Sequence, residues 1–504
     1  MARIVLRPLR VALFDLLLPA AFGALSVQGF APYNHAAVAW LCMAGLVALW
    51  WRSGARRGAW RGFVFGLGLF GAGLHWPFVS IHYYGNAPVP LAVVLVCLLA
   101  AYLSLFPMLA GALAGAMRRL PRTAWALVFV PASWLLSELL RGWFMTGFPW
   151  LSLGYVLVDT PLTDLAPLGG VYFLGACVMA AAGALLLLLA GSVTGRLVSV
   201  MLIALTPVFL WWVPPAIDWT APSGEPLRTA IIQGNFPQAV KWDRNWFQPT
   251  LDRYRRLTRQ VDADLVVWPE VAVPTVARNV PDYLQAVSAA AHAKDQTVLV
   301  GVMTQHGDSD AYYNSVLALG AGSGRFDKRH LVPFGEYFPL PDFAKRWLDQ
   351  LDMPYSNLGR GADHQEPIRT DDTELGLSIC FEDAFGREVR RALPAADVLV
   401  NVTNDAWFIG TVAAAQHLEI SRLRALEAGR PLLRAANTGI SAVIGPTGRV
   451  LKRSNQLEIA ILEATVQPRS GVTPYVRFGN TPVWFAALLL TALGLAWGRR
   501  RRNI

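Results

Sequence analysis

Three segments of this 504-residue chain carry groups that could act together on an acyl carbon. Asp-Leu-Val-Val-Trp-Pro-Glu is an apolar run that meets Pro269 and delivers Glu270 just past its end. Phe-Asp-Lys-Arg-His-Leu-Val-Pro-Phe-Gly-Glu puts Lys328 ahead of a loop with Pro333, Gly335 and Glu336. Leu-Gly-Leu-Ser-Ile-Cys-Phe-Glu-Asp closes an apolar run on Cys380, with acids following. A thiol is mostly protonated at neutral pH and needs a base or a nearby cation to react. Glu270 can take that proton, and Lys328 can hold the thiolate and then the tetrahedral oxyanion. The product is a thioester, reactive enough to pass its acyl group to an amine. Singly, each residue has an ordinary explanation: a cap, a surface charge, a core thiol. Their flanks and order together point to chemistry.

Such groups need a scaffold that sets them side by side. Leu227–Ile232, Asp264–Trp268, Val298–Met303, Leu375–Cys380 and Val398–Val402 are short, apolar and rich in β-branched residues, which predicts buried strands. Pro249–Val261, Pro281–Ala293 and Ala413–Ala428 have helical periodicity, and two of them open on Pro, suited to a first helical position. Strands alternating with helices predict an α/β domain over residues 214–475, and the ends of its buried strands are where such domains place their sites.

The rest of the chain is written for a different solvent. Hydrophobic residues make up 54% of the chain and charged residues only 15%, against roughly 25% charged in ordinary globular domains. The deficit is local, because residues 1–213 contain no Lys and only four acids, Asp15, Glu138, Asp159 and Asp164. A helix needs about 20 apolar residues to cross a bilayer. Spans are predicted near 11–29, 35–51, 62–80, 90–116, 123–140, 166–190, 197–213 and 482–498. The expected organisation is a bundle of about seven transmembrane helices over 1–213, the α/β domain over 214–475, and a last span with a basic tail over 476–504.

Charge orients this arrangement. Outside 214–481 there are 16 Arg against 4 acids; inside it, 28 basic residues face 30 acidic ones. The excess that gives the chain its net +10 therefore sits on the membrane part, which argues against a nucleic-acid-binding surface. Arg3, Arg7, Arg10, Arg52, Arg56, Arg57, Arg61, Arg118, Arg119, Arg122, Arg196 and Arg499 to Arg502 fall in alternate loops and tails; the opposite set holds only Arg141. Short Arg-rich loops stay cytoplasmic, so both termini are expected inside and the α/β domain outside. Cys42, Cys97 and Cys177 lie in predicted spans, leaving Cys380 as the one thiol of the outer domain. Glu138 and Arg141, one helical turn apart, are expected to form a structural pair.

Trp-Pro-Glu, Lys-Arg-His-Leu-Val-Pro-Phe-Gly-Glu and Ile-Cys-Phe-Glu together resemble the carbon–nitrogen hydrolase (nitrilase) superfamily and its Glu, Lys, Cys triad. Further blocks resemble its apolipoprotein N-acyltransferase branch over nearly the whole chain. They are Gln233-Gly-Asn-Phe-Pro-Gln238 with Lys241-Trp242-Asp243, Asn404 to Phe408, Arg424 to Arg434, Leu139 to Trp143 and Thr146 to Trp150. The resemblance implies a multi-span helical membrane bundle carrying an αββα nitrilase-like sandwich in the periplasm, within a bacterial inner membrane. It implies a ping-pong reaction: Cys380 takes an acyl chain from a phospholipid, phosphatidylethanolamine foremost, and passes it to the α-amine of a diacylglyceryl-modified lipoprotein. Glu270 serves as base and Lys328 as oxyanion holder. Glu336 positions Lys328 or the amine, Glu382 supports the nucleophile loop, and Trp242 lies on a loop over the pocket. Many members have Tyr after the nucleophile, where this chain has Phe381 as an aromatic wall. Trp407 suits the membrane interface, or plain core packing. No metal, cofactor or nucleic acid is expected, and the chain is expected to act as a monomer. Two rivals are a membrane-tethered nitrilase-type hydrolase, which needs one anchor and not eight spans, and a transporter, for which the spans hold few ionisable groups.

Overall fold

The computed structural model describes residues 13–212, 218–305, 311–337 and 358–501. The tail arginines Arg3, Arg7, Arg10 and Arg502, and the outer ends of the first and seventh predicted spans, lie outside those residues. The chain divides into two compact units: Met1–His82 with Asn86–Asp218 and Phe478–Ile504, and Tyr83–Gly85 with Trp219–Arg477.

The first unit is helical among its described residues. Five helices are long and apolar enough to cross a membrane: Val89–Ala116, Arg122–Arg141, Pro161–Ala190, Val193–Trp212 and Thr481–Arg500. The other three predicted spans depart from straight crossings. Ala55–Gly73 and Pro77–Tyr84 form a pair bent by 61°. The break follows from sequence, because Leu74 leaves helical geometry and Pro77, lacking an amide hydrogen, opens a new segment. Leu13–Gly29 and Ala36–Trp50 are apolar but shorter than the other crossings. Gly58, Gly62 and Gly66, spaced by four, lie against Ser104, Pro107 and Gly111 of the neighbouring helix so closely that a Cβ at any of them would strike that helix. Small residues at this spacing let helices approach where no hydrophobic drive exists between them. Glu138 and Arg141 form the expected pair at 3.4 Å, both buried. They also fasten the following loop, since Arg141 donates to the carbonyls of Phe148 and Trp150 and Glu138 accepts from the Leu153 amide.

The second unit is built on two mixed sheets. In one, Leu227–Gln233, Leu265–Val267 and Thr297–Gln305 run parallel at the centre, flanked by antiparallel Ala460–Val466 on one side and Tyr312–Gly320 with Arg325–Asp327 on the other. In the other, Thr373–Ile379, Val398–Thr403 and Leu432–Ala436 are parallel, with antiparallel strands outside them. One apolar cluster draws Ile231, Val267 and Leu299 from the first sheet and Leu377, Val400 and Leu433 from the second. The first sheet's opposite side chains pack with helices Arg244–Arg259 and Pro281–His292. Those of the second pack with Ala413–Ala428.

The strands and two helices lie within a few residues of their predicted positions, but the first helix begins earlier than its Pro suggests. It runs Arg244–Arg259, with Pro249 inside and the Asp243 carboxylate capping its start by accepting from the Asn245 amide. An Asp at this position satisfies one of the orphan donors of the first turn, which fixes the boundary more firmly than Pro does.

One glycine of the sheet matters to the site. A Cβ on Gly301 would collide with the Pro269 carbonyl, the Val271 amide and the Glu270 Cα. Only a hydrogen there lets the Trp-Pro-Glu segment leave its strand this close to Thr297–Gln305. Gly301→Ala is expected to displace Glu270, cost about 1–3 kcal/mol of stability and slow acylation of Cys380. Thermal melting together with single-turnover acylation checks this; an unshifted acylation rate would show that the strand exit does not set the position of Glu270.

Candidate active site

Glu270, Lys328 and Cys380 each stand at or shortly past the end of a strand. Glu270 stands three residues past Leu265–Val267, Lys328 follows Arg325–Asp327, and Cys380 follows Thr373–Ile379. Strand ends place rigidly held side chains at one edge of a sheet without disturbing its ladder.

Lys328 is the centre of the arrangement. It is 1% exposed, and its Nζ lies 2.7 Å from Glu336 Oε1 and 3.7 Å from Glu270 Oε1. Burial works against the ammonium charge, but Glu336, Glu270 and Cys380 outweigh it and hold the pKa well above the ordinary lysine range. Lys328 is therefore a fixed cation at any working pH. Glu336 keeps its place by accepting from the Val332 amide at 2.7 Å through its second oxygen. Glu270 accepts from Asn314 Nδ2 at 2.7 Å, which orients its carboxylate.

Cys380 is half-buried and sits at φ +53°, a left-handed conformation that costs a non-glycine residue. Asn401 Nδ2 and His417 Nε2 both point at its carbonyl oxygen, at 3.3 Å each. Behind them lies a buried charged lattice. His417 is gripped by Asp383 and Asp405, each at 2.9 Å, and Arg434 donates to Asp405 at 2.9 Å. Burial and Arg434 oppose a charge on His417, yet the two aspartates raise its pKa to about 9. The turn that carries Cys380 thus rests on an imidazolium. The thiol itself is pushed well above its usual range, first by burial and then by Glu270, with Lys328 pulling the other way. The proton therefore stays on sulfur unless a base takes it.

Glu382 is fully buried and fastens two segments together. One oxygen accepts from the Arg329 and His330 amides at 2.6 and 2.9 Å, the other from the Ile379 amide at 2.7 Å. The chain carrying Lys328 is thereby tied to the chain carrying Cys380. Burial moves the Glu382 carboxyl up to about 7, with Arg329 and these amides resisting. Phe381 is buried, edge-to-face with Phe385 at 5.1 Å. Trp242 is 42% exposed, and its neighbour Lys241 is buried and donates to the Glu270 carbonyl at 3.1 Å. Burial draws Lys241 down to about 8. Trp407 is half-buried in the turn Asp405–Phe408.

The structure therefore gathers Glu270, Lys328, Glu336, Glu382, Phe381 and Cys380 through direct or shared contacts. Lys241, Asn314, Asn401, Asp383, Asp405, His417 and Arg434 had been given no role from sequence. Lys241, Asp405 and Arg434 fall inside the quoted blocks and Asp383 closes the quoted Cys380 segment, which is the one available signal; Asn314, Asn401 and His417 fall outside them.

Family models match both units. Residues 22–184 match the apolipoprotein N-acyltransferase N-terminal domain, and residues 228–475 match carbon-nitrogen hydrolase. Apolipoprotein N-acyltransferase from Methylococcus capsulatus is 40% identical over 97% of both chains. That of Nitrosomonas europaea is 40% identical over 97% of this chain and 99% of its own. The chain belongs to the apolipoprotein N-acyltransferase family. The Photobacterium profundum member is 37% identical over 96% of this chain and 95% of its own. Among solved structures, the carbon-nitrogen hydrolase from Helicobacter pylori G27 aligns at 17% identity and a TM-score of 0.36, over 48% of this chain and 89% of that one. A family member is a membrane acyltransferase.

The two carboxylates beside Lys328 differ in their surroundings, and this separates their expected roles. Glu270→Gln keeps the shape but cannot accept a proton, so formation of the Cys380 thioester should fall about 10²–10⁴-fold. Glu336→Gln leaves the base in place and should lose less of that half-reaction. Mass spectrometry of acylated Cys380 in single turnovers checks the order; acylation at the wild-type rate in Glu270→Gln, with Glu336→Gln dead, would put the base on the other residue.

Proposed function

We propose that this enzyme N-acylates lipoproteins through a thioester on Cys380, in two half-reactions that each pass one proton through Glu270. In the first, the sulfur attacks the sn-1 ester carbonyl of a phospholipid while Glu270 accepts the thiol proton. The oxyanion collects on Lys328 and nearby backbone amides. The C–O bond breaks, Glu270 returns the proton to the leaving oxygen, and lysophospholipid departs. In the second, the α-amine of an S-diacylglyceryl cysteine attacks the thioester. A C–N bond forms, the C–S bond breaks, and the amine proton passes through Glu270 back to the sulfur.

The observation that carries this reading is the position of Lys328. A buried, permanent cation stands between a hydrogen-bonded carboxylate and a second carboxylate at 3.7 Å, with a neutral thiol within its field. That arrangement supplies a base and an oxyanion holder for one nucleophile. Glu336 holds Lys328, Glu382 holds the loops, Phe381 walls the pocket and Trp242 and Trp407 meet lipid. We read the two sheets and their flanking helices as an αββα sandwich in the periplasm, phosphatidylethanolamine as the preferred donor, and a monomer as the working unit. Domain limits at 1–213, 214–475 and 476–504 follow from the same reading.

Purified protein given phospholipid and a diacylated lipopeptide should add one acyl chain to the peptide amine. Cys380→Ala should abolish the transfer, while substitutions at Cys42, Cys97 and Cys177 leave it. Free fatty acid in place of acylated peptide would favour a hydrolase, and turnover by Cys380→Ala would end the thioester mechanism.

The orientation is supported by the arginine distribution. A reporter active only outside the cytoplasm should work when fused after residue 300 and fail after residue 504. The reversed pattern would overturn the placement of both termini inside.

A further inference from the structure

We propose that the membrane unit holds one anionic phospholipid by its phosphate headgroup, in an arginine-lined hollow at the level of its helix ends. The hollow has a volume of about 330 Å³ and is lined by Trp51, Arg52, Arg118, Arg119, Leu120, Arg122 and Trp125. It belongs wholly to the membrane unit. The site is separate from the acyl-transfer residues and the inference does not require the orientation argued above, because phosphate lines both faces of a bilayer.

The first observation is charge without a partner. Four guanidiniums line one concavity, and none of them forms an ion pair among the described residues. Residues 1–213 offer four acids in all. Asp15 is taken by Arg57 at 2.9 Å and Arg61 at 2.7 Å, Glu138 by Arg141 at 3.4 Å, Asp159 accepts from Asn34 at 2.9 Å, and Asp164 pairs with none of the four arginines among the described residues. Arg57 and Arg61 are thus neutralised by protein, while the four of the hollow share one open concavity from which Arg56 and Arg196 are absent.

The second observation is what lies between those charges. Trp51 and Trp125 meet edge-to-face at 5.6 Å, Arg122 stacks over Trp51 at 5.4 Å, and Leu120 is buried. The Trp125 indole N–H is spent on the Ala114 carbonyl at 2.9 Å, so that ring offers the hollow an apolar face. Trp51 directly follows the helix Ala36–Trp50, Arg118 lies just past Val89–Ala116, and Arg122 opens Arg122–Arg141. Helix ends and Trp rings mark the headgroup level of a bilayer. An apolar wall beside a cationic rim matches a lipid, whose glycerol and first methylenes continue from the phosphate.

The residue type narrows the ligand. Guanidinium is a planar fork that binds phosphate oxygens in pairs, and all four cations are arginine. A zwitterionic headgroup would bring an ammonium into a cluster of four positive charges. Phosphatidylglycerol or cardiolipin brings phosphate without it.

The test uses the full-length protein in nanodiscs of phosphatidylcholine doped with phosphatidylglycerol, with native mass spectrometry to count retained lipids. Wild type is expected to keep one phosphatidylglycerol that Arg52→Gln/Arg118→Gln/Arg122→Gln loses. Basic residues near an anionic surface typically contribute about fivefold each in affinity, so single changes at Arg118 or Arg122 should each show that loss if the triple variant folds poorly. Arg56→Gln/Arg196→Gln/Arg499→Gln removes the same charge outside the hollow and should retain the lipid. Acyl transfer by each variant reports the fold and is expected to be unchanged in lipid of fixed composition. Equal retention in the hollow variant, equal loss in the control variant, retention of phosphatidylcholine instead, or release of the lipid by inorganic phosphate alone would each overturn the proposal.

Discussion

A buried ammonium is tolerated only when opposite charge surrounds it, and Lys328 imposes that condition on everything near it. Glu336 and Glu270 flank Lys328, and Lys241 is a second buried basic group beside Glu270. Ionising Cys380 to solvent would set a new negative charge beside Glu270 in an enclosed space, and burial and Glu270 accordingly push the thiol upward. Transfer of the same proton to Glu270 adds none. In the mechanism proposed above the thiolate forms by handing its proton to Glu270, and the charge count is then the same before and after. Lys241, beneath the Glu270 carbonyl and drawn down to about 8 by burial, sits close to the point where its own charge could change.

Such a balance needs atoms held to a fraction of an ångström, and backbone anchors supply this more than side-chain packing does. Glu382 ties the Lys328 segment to the end of the nucleophile strand through three amides. Asn401 and His417 fix the carbonyl of Cys380 and so stabilise its left-handed backbone. His417 can act as a lasting donor because two aspartates keep it charged to about pH 9, and Arg434 and His417 outweigh burial to hold the Asp405 carboxyl below the usual range. The strained backbone of Cys380 is thus held by a polar lattice lying on the second sheet and its helix Ala413–Ala428, directly behind the thiol.

The sequence exposes the parts of this machine that depend on neighbours in the chain. Strand ends, the helix Ala413–Ala428 and the spacing of Lys328 to Glu336 all follow from local periodicity and punctuation. The Pro249 boundary was misread because Pro is tolerated within a helix where its missing donor is compensated, whereas Asp243 made a cap that periodicity does not show. The bent third span was misread because apolar composition counts residues and is blind to a 61° turn at Pro77. Asn314 meets Glu270 across 44 residues, and His417 meets Asp383 across 34. Contacts of that separation are products of sheet topology, and no window along the chain contains both partners.

What separates a transferase from a hydrolase with the same three residues is which nucleophile reaches the thioester. Glu270 and Lys328 are 7% and 1% exposed, so little water is held against the reacting groups themselves. The adjoining loops are different. Trp242, next to Lys241, is 42% exposed, and Phe334, between Lys328 and Glu336, is 57% exposed. Exposed aromatic surface is unfavourable in water by about 25 cal/mol per Å² and is relieved by an acyl chain. Apolar loops beside a dry charged centre favour substrates that arrive on hydrocarbon and offer water no comparable gain. In the proposed mechanism the triad fixes what bond is broken, and the aromatic loops around it bias which molecules come to break it.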